Sequence, residues 1–144
     1  LPRSDTTNLE RRQAPSRDWS QFEQQWVVVI EDDQDVREAM QNLLTDWGLR
    51  VLAAETSDEV LASTQADDAP ALVISDYHLP NCETGITAIA RLREVWGEDL
   101  PAMLISGDTS PENVLTMAAS GLSVLHKPVR PAKLRALLQS HLYP

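Results

Sequence analysis

The sequence predicts an α/β fold, a doubly wound five-stranded parallel sheet of order 2-1-3-4-5 carrying five helices. Three observations predict it. Short apolar runs recur five times, "VVVI" from 27, "VLAA" from 51, "ALVIS" from 71, "AMLIS" from 102 and "LSVL" from 122. Their brevity and β-branched content suit strands buried on both faces. Segments with helical spacing of apolar residues separate the runs, and strand alternating with helix implies a parallel sheet covered on both sides.

Taken in order, the chain begins with a polar stretch, "LPRSDTTNLERRQAPSRDWSQFEQQ", holding Pro2 and Pro15 and little periodicity. Residues 1–25 read as a linker, turning helical near Trp19 to Gln25, and residues 26–144 as one domain. After the first strand, Val36, Met40, Leu43, Leu44 and Trp47 form an apolar stripe that Gly48 stops. A weaker helix is expected over 57–66. After the third strand, Ile86, Ile89, Ala90, Arg93 and Trp96 lead to Gly97, with the Arg93 stem free to lie along the stripe. Ser110 and Pro111 mark the N-cap and first residue of a helix over 111–120. Leu134, Leu137, Leu138 and His141 make the last stripe.

Composition narrows the function classes. Among 144 residues, 22 acidic side chains outnumber 12 basic ones, for a formal charge of -10. That sign repels phosphate backbones and argues against nucleic acid as a partner. Cys82 is the one cysteine, which excludes an intrachain disulfide and a cysteine metal cluster and suits a reducing, cytoplasmic setting. No apolar run approaches the ~18 residues of a membrane span, so no membrane contact by this chain is expected. The chain starts at Leu1, and a piece of a longer, membrane-anchored or soluble parent is expected.

In open α/β sheets, sites form beyond the carboxyl ends of strands where the strand order reverses. The first strand ends in Glu31, Asp32 and Asp33, the third in Asp76, the fourth in Ser106, and Lys127 follows the fifth. Three clustered carboxylates repel one another unless a cation sits among them. Carboxylate oxygens are the ligands Mg²⁺ prefers. One carboxylate can then serve as a nucleophile toward phosphorus, a reaction that needs mainly positioning and charge neutralisation.

"VVVIEDDQDV", "ISDYHLP", "LISGD" and "LHKPV" together resemble the receiver domain of two-component response regulators, over residues 26–144. Each motif alone is common; four in order at strand ends are specific. The resemblance implies a flavodoxin-like fold and a phosphoacceptor, Asp76, charged by a phosphohistidine on a partner. It implies Mg²⁺ held by Glu31, Asp32, Asp76 and the backbone carbonyl of His78, with Ser106 and Lys127 on the phosphoryl oxygens. It further implies a cis Lys127–Pro128 peptide. "HKPVRPAKLRALL" is similar to receivers at the C-terminus of hybrid sensor histidine kinases. That points to a kinase core in cis, a histidine phosphotransfer protein or other regulator in trans, and a homodimer through helix 4, strand 5 and helix 5. Such a domain promotes its own phosphorylation and hydrolysis without turning over an external substrate. Two positions depart from the family pattern. Glu31 stands where Asp is usual, and Val124 where an aromatic switch residue is frequent.

Plainer roles compete for several residues. Asp33 and Asp35 suit a helix dipole better than a metal. His78 and His126 read as incidental, His141 as packing, Trp47 and Trp96 as core, and Cys82 as an exposed loop residue. Arg130, Lys133 and Arg135 read as a solvated basic face. Three other functions compete with the receiver: a receiver-like scaffold that associates without phosphorylation, favoured by Val124; a Mg²⁺-dependent phosphohydrolase, which would want a second acid where "SDYHL" has His78; and a flavin binder, which would want Ser, Thr or Gly after strand 1.

Overall fold

A computed structural model describes residues 25–63 and 69–142. Residues 1–24 of the expected linker, with its helical turn near Trp19, and the last residues of the expected second helix lie outside the described residues. The chain alternates β1 (Trp26–Ile30), α1 (Gln34–Asp46), β2 (Arg50–Ala54), α2 (Ser57–Ser63), β3 (Leu72–Asp76), α3 (Gly85–Trp96), β4 (Ala102–Ser106), α4 (Pro111–Ala119), β5 (Ser123–His126) and α5 (Pro131–Leu142). The strands form one sheet in the order β2-β1-β3-β4-β5, with every pairing parallel.

Burial follows the two-residue period of a strand. Val27 and Val29 face one side with Leu72, Ile74, Met103 and Ile105, where Met40 and Leu44 of α1 and Leu134 and Leu138 of α5 cover them. Val28 and Ile30 face the other side with Val73 and Leu104, under Val60 of α2, Ile89 and Leu92 of α3 and Met117 of α4. Each central strand thus reads as continuously apolar because both of its faces are dry. Trp47 belongs to the first layer, as expected. Trp96 is half-buried at the edge of the second layer, its ring edge-on to Trp26 at 5.8 Å. His141 is half-buried in the last turn of α5, and desolvation lowers its pKa. Arg130 and Lys133 are exposed, whereas Arg135 is half-buried and does not share their solvated face.

Helix ends follow the local chemistry. Asp33 caps α1, its carboxylate accepting the N–H groups of Asp35 at 2.9 Å and Val36 at 3.2 Å. Loss of such a cap costs about 1 kcal/mol. Asp33→Ala is therefore expected to lower unfolding free energy by about that amount in urea titration, with an unchanged m-value. Gly48 and Gly97, with φ of 92° and 108°, stop α1 and α3 in the region that favours glycine. Ser110 precedes α4 as expected, but its side chain makes no capping bond. Asp108 instead fixes the turn that leads into the cap, its carboxylate accepting the Ser110 N–H at 2.8 Å.

Candidate functional site

The sheet register brings the strand ends to one rim. Ile30 pairs with Ser75 of β3, and Asp76 pairs with Ile105 of β4. Ser106 pairs with His126 of β5, and the Lys127 N–H donates to the Ser106 carbonyl at 3.0 Å. The crevice opens between β1 and β3, where the strand order reverses.

Glu31 and Asp76 are buried there, while Asp32 is exposed at the mouth. Carboxylate oxygens of the three lie within 4.8 Å of one another. Lys127 reaches in from the far side, its Nζ 3.1 Å from Glu31 Oε1 and donating to Asp76 Oδ2 at 3.3 Å. The Glu31 contact lies off hydrogen-bond geometry, so Oε1 has an ionic neighbour and no hydrogen bond of its own. A buried carboxylate oxygen with spare lone pairs beside two further carboxylates fits a hard, oxygen-seeking cation. Arg37 braces the acidic turn from beneath, donating to the Glu31 carbonyl at 2.9 Å and standing 3.8 Å from Glu55.

The electrostatics match this crowding. Desolvation pushes the Glu31 carboxyl up to about 7, helped by the adjoining Asp76 carboxylate and opposed by the Asp33 N–H and Lys127. Burial pulls the Lys127 pKa down, but the carboxylates of Glu31 and Asp76 together outweigh it and raise it. The lysine is held as a cation at neutral pH.

The backbone lets these groups meet. The Lys127–Pro128 peptide is cis, as the sequence motif implies. After β3 the chain turns sharply through Asn81 and Cys82, both with φ near +60°, and Cys82 is exposed. It re-enters at Gly85, whose N–H donates to the Tyr77 carbonyl at 2.7 Å. A Cβ on Gly85 would lie 2.5 Å from the Asp76 carbonyl oxygen and 2.7 Å from Leu104 Cδ2. Glycine here allows α3 to press against the strand that carries Asp76. Val124 is half-buried and packs in the second apolar layer.

The family model described as the response regulator receiver domain matches residues 27–139. The chain belongs to the response regulator receiver domain family. A protein of Leptolyngbya boryana described as an uncharacterised 14.6 kDa protein is 32% identical over 117 residues, covering 80% of this chain and 88% of that one. The two-component response regulator PprB of Pseudomonas aeruginosa is 30% identical over 75% of this chain, which spans 40% of PprB. Among solved structures, the chemotaxis response regulator CheY4 of Vibrio cholerae is 28% identical, with a TM-score of 0.69 over 82% of this chain and 98% of that one. A response regulator receiver domain protein of Clostridium thermocellum, 22% identical with a TM-score of 0.70 over 82% of this chain and 94% of that one, shares the fold.

Within this receiver domain, sequence reasoning missed two polar networks. Arg91 of α3 donates to Ser57 Oγ at 2.7 Å and Asp58 at 2.6 Å, and Ser57 donates to Glu83 at 2.9 Å, fastening the loop after β3 to α2. Asp108 receives Asn113 and faces His78 Nε2 at 2.6 Å. The Ser110 N–H first, then His78 and Asn113, hold the Asp108 carboxyl below the usual range. His78 is thus not incidental. The "GDTSPEN" spacing of Asp108 before Ser110-Pro111 was the available signal, since Asp two residues before a helix cap favours a local turn.

Proposed function

We propose that this receiver domain accepts a phosphoryl group on Asp76. The observation that carries the reading is the Lys127 ammonium bridging Glu31 and Asp76 at 3.1 and 3.3 Å beside Asp32. It is supported by membership of a family that implies histidine-kinase or phosphotransfer partners.

In the proposed reaction an Asp76 carboxylate oxygen attacks the phosphorus of a phosphohistidine. A P–O bond forms, the P–N bond breaks, and its electron pair leaves on the imidazole nitrogen. Lys127 orients the carboxylate and offers its charge to the incoming oxygens, and the Ser106 hydroxyl offers a second donor. Mg²⁺, held by Glu31, Asp32, Asp76 and the His78 carbonyl, would supply further neutralisation of phosphoryl charge. Asp76 is buried while the mouth is open at Asp32, an arrangement that limits water yet admits a donor side chain.

A groove of about 550 Å³ lies between α1 and the start of α5, lined by Val36, Ala39, Met40, Leu43, Lys127 and Pro128. Its largely apolar lining, which shares Lys127 with the site, suits a helix that presents a phosphohistidine, the reaction partner. We place the domain, residues 26–144, in a hybrid sensor histidine kinase, with partners in cis or trans. The sensory/regulatory protein RpfC of Xanthomonas campestris, 29% identical over 75% of this chain and 15% of its own length, joins sensing and regulation in its name. Among the described residues no helix is long and apolar enough to cross a membrane. Val124 and the exposed Leu115 of α4 favour association as a second reading, a scaffold or a homodimer through α4, β5 and α5.

The test uses the purified chain with Mg²⁺ and acetyl phosphate. An acid-stable, base-labile phosphoryl adduct is expected on the parent protein and none on Asp76→Asn. Adduct on the variant, or none on the parent, sinks the proposal and leaves the scaffold.

A further inference from the structure

The second polar network joins the rim to α4 by a closed path. Ser106, fully buried at the end of β4, accepts the Asp108 N–H on Oγ at 2.9 Å. Asp108 Oδ1 accepts the Ser110 N–H, and Oδ2 accepts from Asn113 of α4 and faces His78 Nε2. Asn113 Oδ1 in turn accepts the Tyr77 hydroxyl at 3.2 Å. Tyr77 is buried directly after Asp76, with its ring edge-on to that of His78 at 4.9 Å.

A simple turn before α4 would need the Asp108–Ser110 bond alone. Here the other carboxylate oxygen crosses to α4 and to the loop after β3, so both strand ends hold the first turn of one helix. Charge-assisted hydrogen bonds of this kind are stronger than neutral ones. Val124 carries no ring to rotate and no hydrogen-bonding group, so β5 offers Ser106 no polar partner through that side chain.

We infer that Asp108 is a positioning residue that transmits occupancy of Asp76 to α4 through Ser106 and Asn113. The inference rests on the proposed function. The Ser106 hydroxyl can donate to an oxygen on phosphorylated Asp76 while its oxygen still accepts the Asp108 N–H. A displacement of Oγ toward that oxygen therefore draws Asp108 with it, and the hold on Asn113 shifts. Tyr77 keeps the second hold, so α4 pivots on that bond. The readout surface moves accordingly, because α4 exposes Val114 at 41% and Leu115 at 70%.

The test is backbone-amide NMR of the chain with Mg²⁺ and beryllofluoride, a mimic of the acyl phosphate. In the parent protein, shifts are expected at Asp76, Ser106 and Lys127 and also through residues 112–116. In Asp108→Ala and Asn113→Ala the strand-end shifts persist, while those in α4 shrink by about threefold, the scale of a modest coupling term. Tyr77→Phe, which removes one oxygen and keeps the ring, supplies a conservative variant with the same expected direction. Asp108→Asn, which keeps an acceptor for Ser110 and a polar partner for Asn113, is expected to restore part of the α4 response. Strand-end shifts with a silent α4 in the parent, or α4 shifts of equal size in every variant, overturn the relay and leave the phosphoacceptor reading standing. No strand-end response in the parent overturns both.

Discussion

Lys127→Ala is expected to lower the unfolding free energy by about 2 kcal/mol at pH 8, and by much less at pH 5. The ammonium stands between two carboxylates that the fold buries, Glu31 and Asp76. Removing one partner of a fully buried ion pair costs ~3–5 kcal/mol, since the other charge stays desolvated. The expected loss is smaller because Lys127 is 29% exposed and water reaches the site through its mouth. The pH dependence follows from Glu31. Its folded pKa, about 7, lies above the ordinary value of 4.5, so between these values the folded state binds the extra proton. Ionising Glu31 therefore opposes folding above pH 7, and that cost disappears as pH falls toward 4.5. Without Lys127 the carboxyl loses a partner that lowers its pKa, so the gap between parent and variant widens toward high pH. Urea titrations at pH 5 and pH 8, followed by tryptophan fluorescence, measure it. A gap that does not change with pH would mean that Lys127 acts through Asp76 or by packing its stem, and not through Glu31.

Strands and site were legible for the same physical reason. A parallel strand dry on both faces must be a short apolar run, and its carboxyl end is where polar residues reappear. Glu31 and Ser106 are the first polar groups after their runs, and Asp76 and Lys127 each follow a single polar neighbour, Ser75 and His126, so one pattern located both the core and the rim. The Asp33 dipole role was legible too, because a cap sits one residue before its helix. The links across the rim were not. His78 and Asp108 stand 30 residues apart, and Tyr77 and Asn113 stand 36 apart. Nothing periodic connects them, and their meeting depends on how two loops fold over the sheet. The half-buried state of Arg135 escaped for a similar reason: charge pattern along one helix does not say what packs against it.

Gly85→Ala is expected to be as damaging as any change in a catalytic side chain, though no chemistry passes through the glycine. The added Cβ would sit 2.5 Å from the Asp76 carbonyl oxygen, 2.7 Å from Leu104 Cδ2 and 3.0 Å from Ser75 Oγ. A leucine methyl can yield by a rotamer change, but the carbonyl belongs to the last residue of β3 and moves only with the strand. Overpacking a well-filled core costs about 1–3 kcal/mol. The upper part of that range is expected here, because Leu104 is fully buried and the Asp76 carbonyl, at the end of β3, already accepts the Ser75 hydroxyl at 3.0 Å. The gain in helix propensity from Ala, up to ~1 kcal/mol in a helix interior, is smaller at the first residue of α3 and does not offset the clash. Whatever relief the protein finds, by tilting α3 or bending β3, moves Asp76 relative to Lys127, which is anchored separately through the Ser106 carbonyl. Positioning dominates phosphoryl transfer, so a displacement of ~1 Å is enough to cost about 100-fold in rate. The expected result is a chain that still folds, melts earlier, and takes up label from acetyl phosphate far more slowly than the parent. Thermal melts and labelling time courses on the same preparation separate the two effects. Slow labelling at a temperature well below the variant's melting point would assign the defect to geometry, and parental labelling there would show that β3 and α3 absorb the methyl group without moving Asp76.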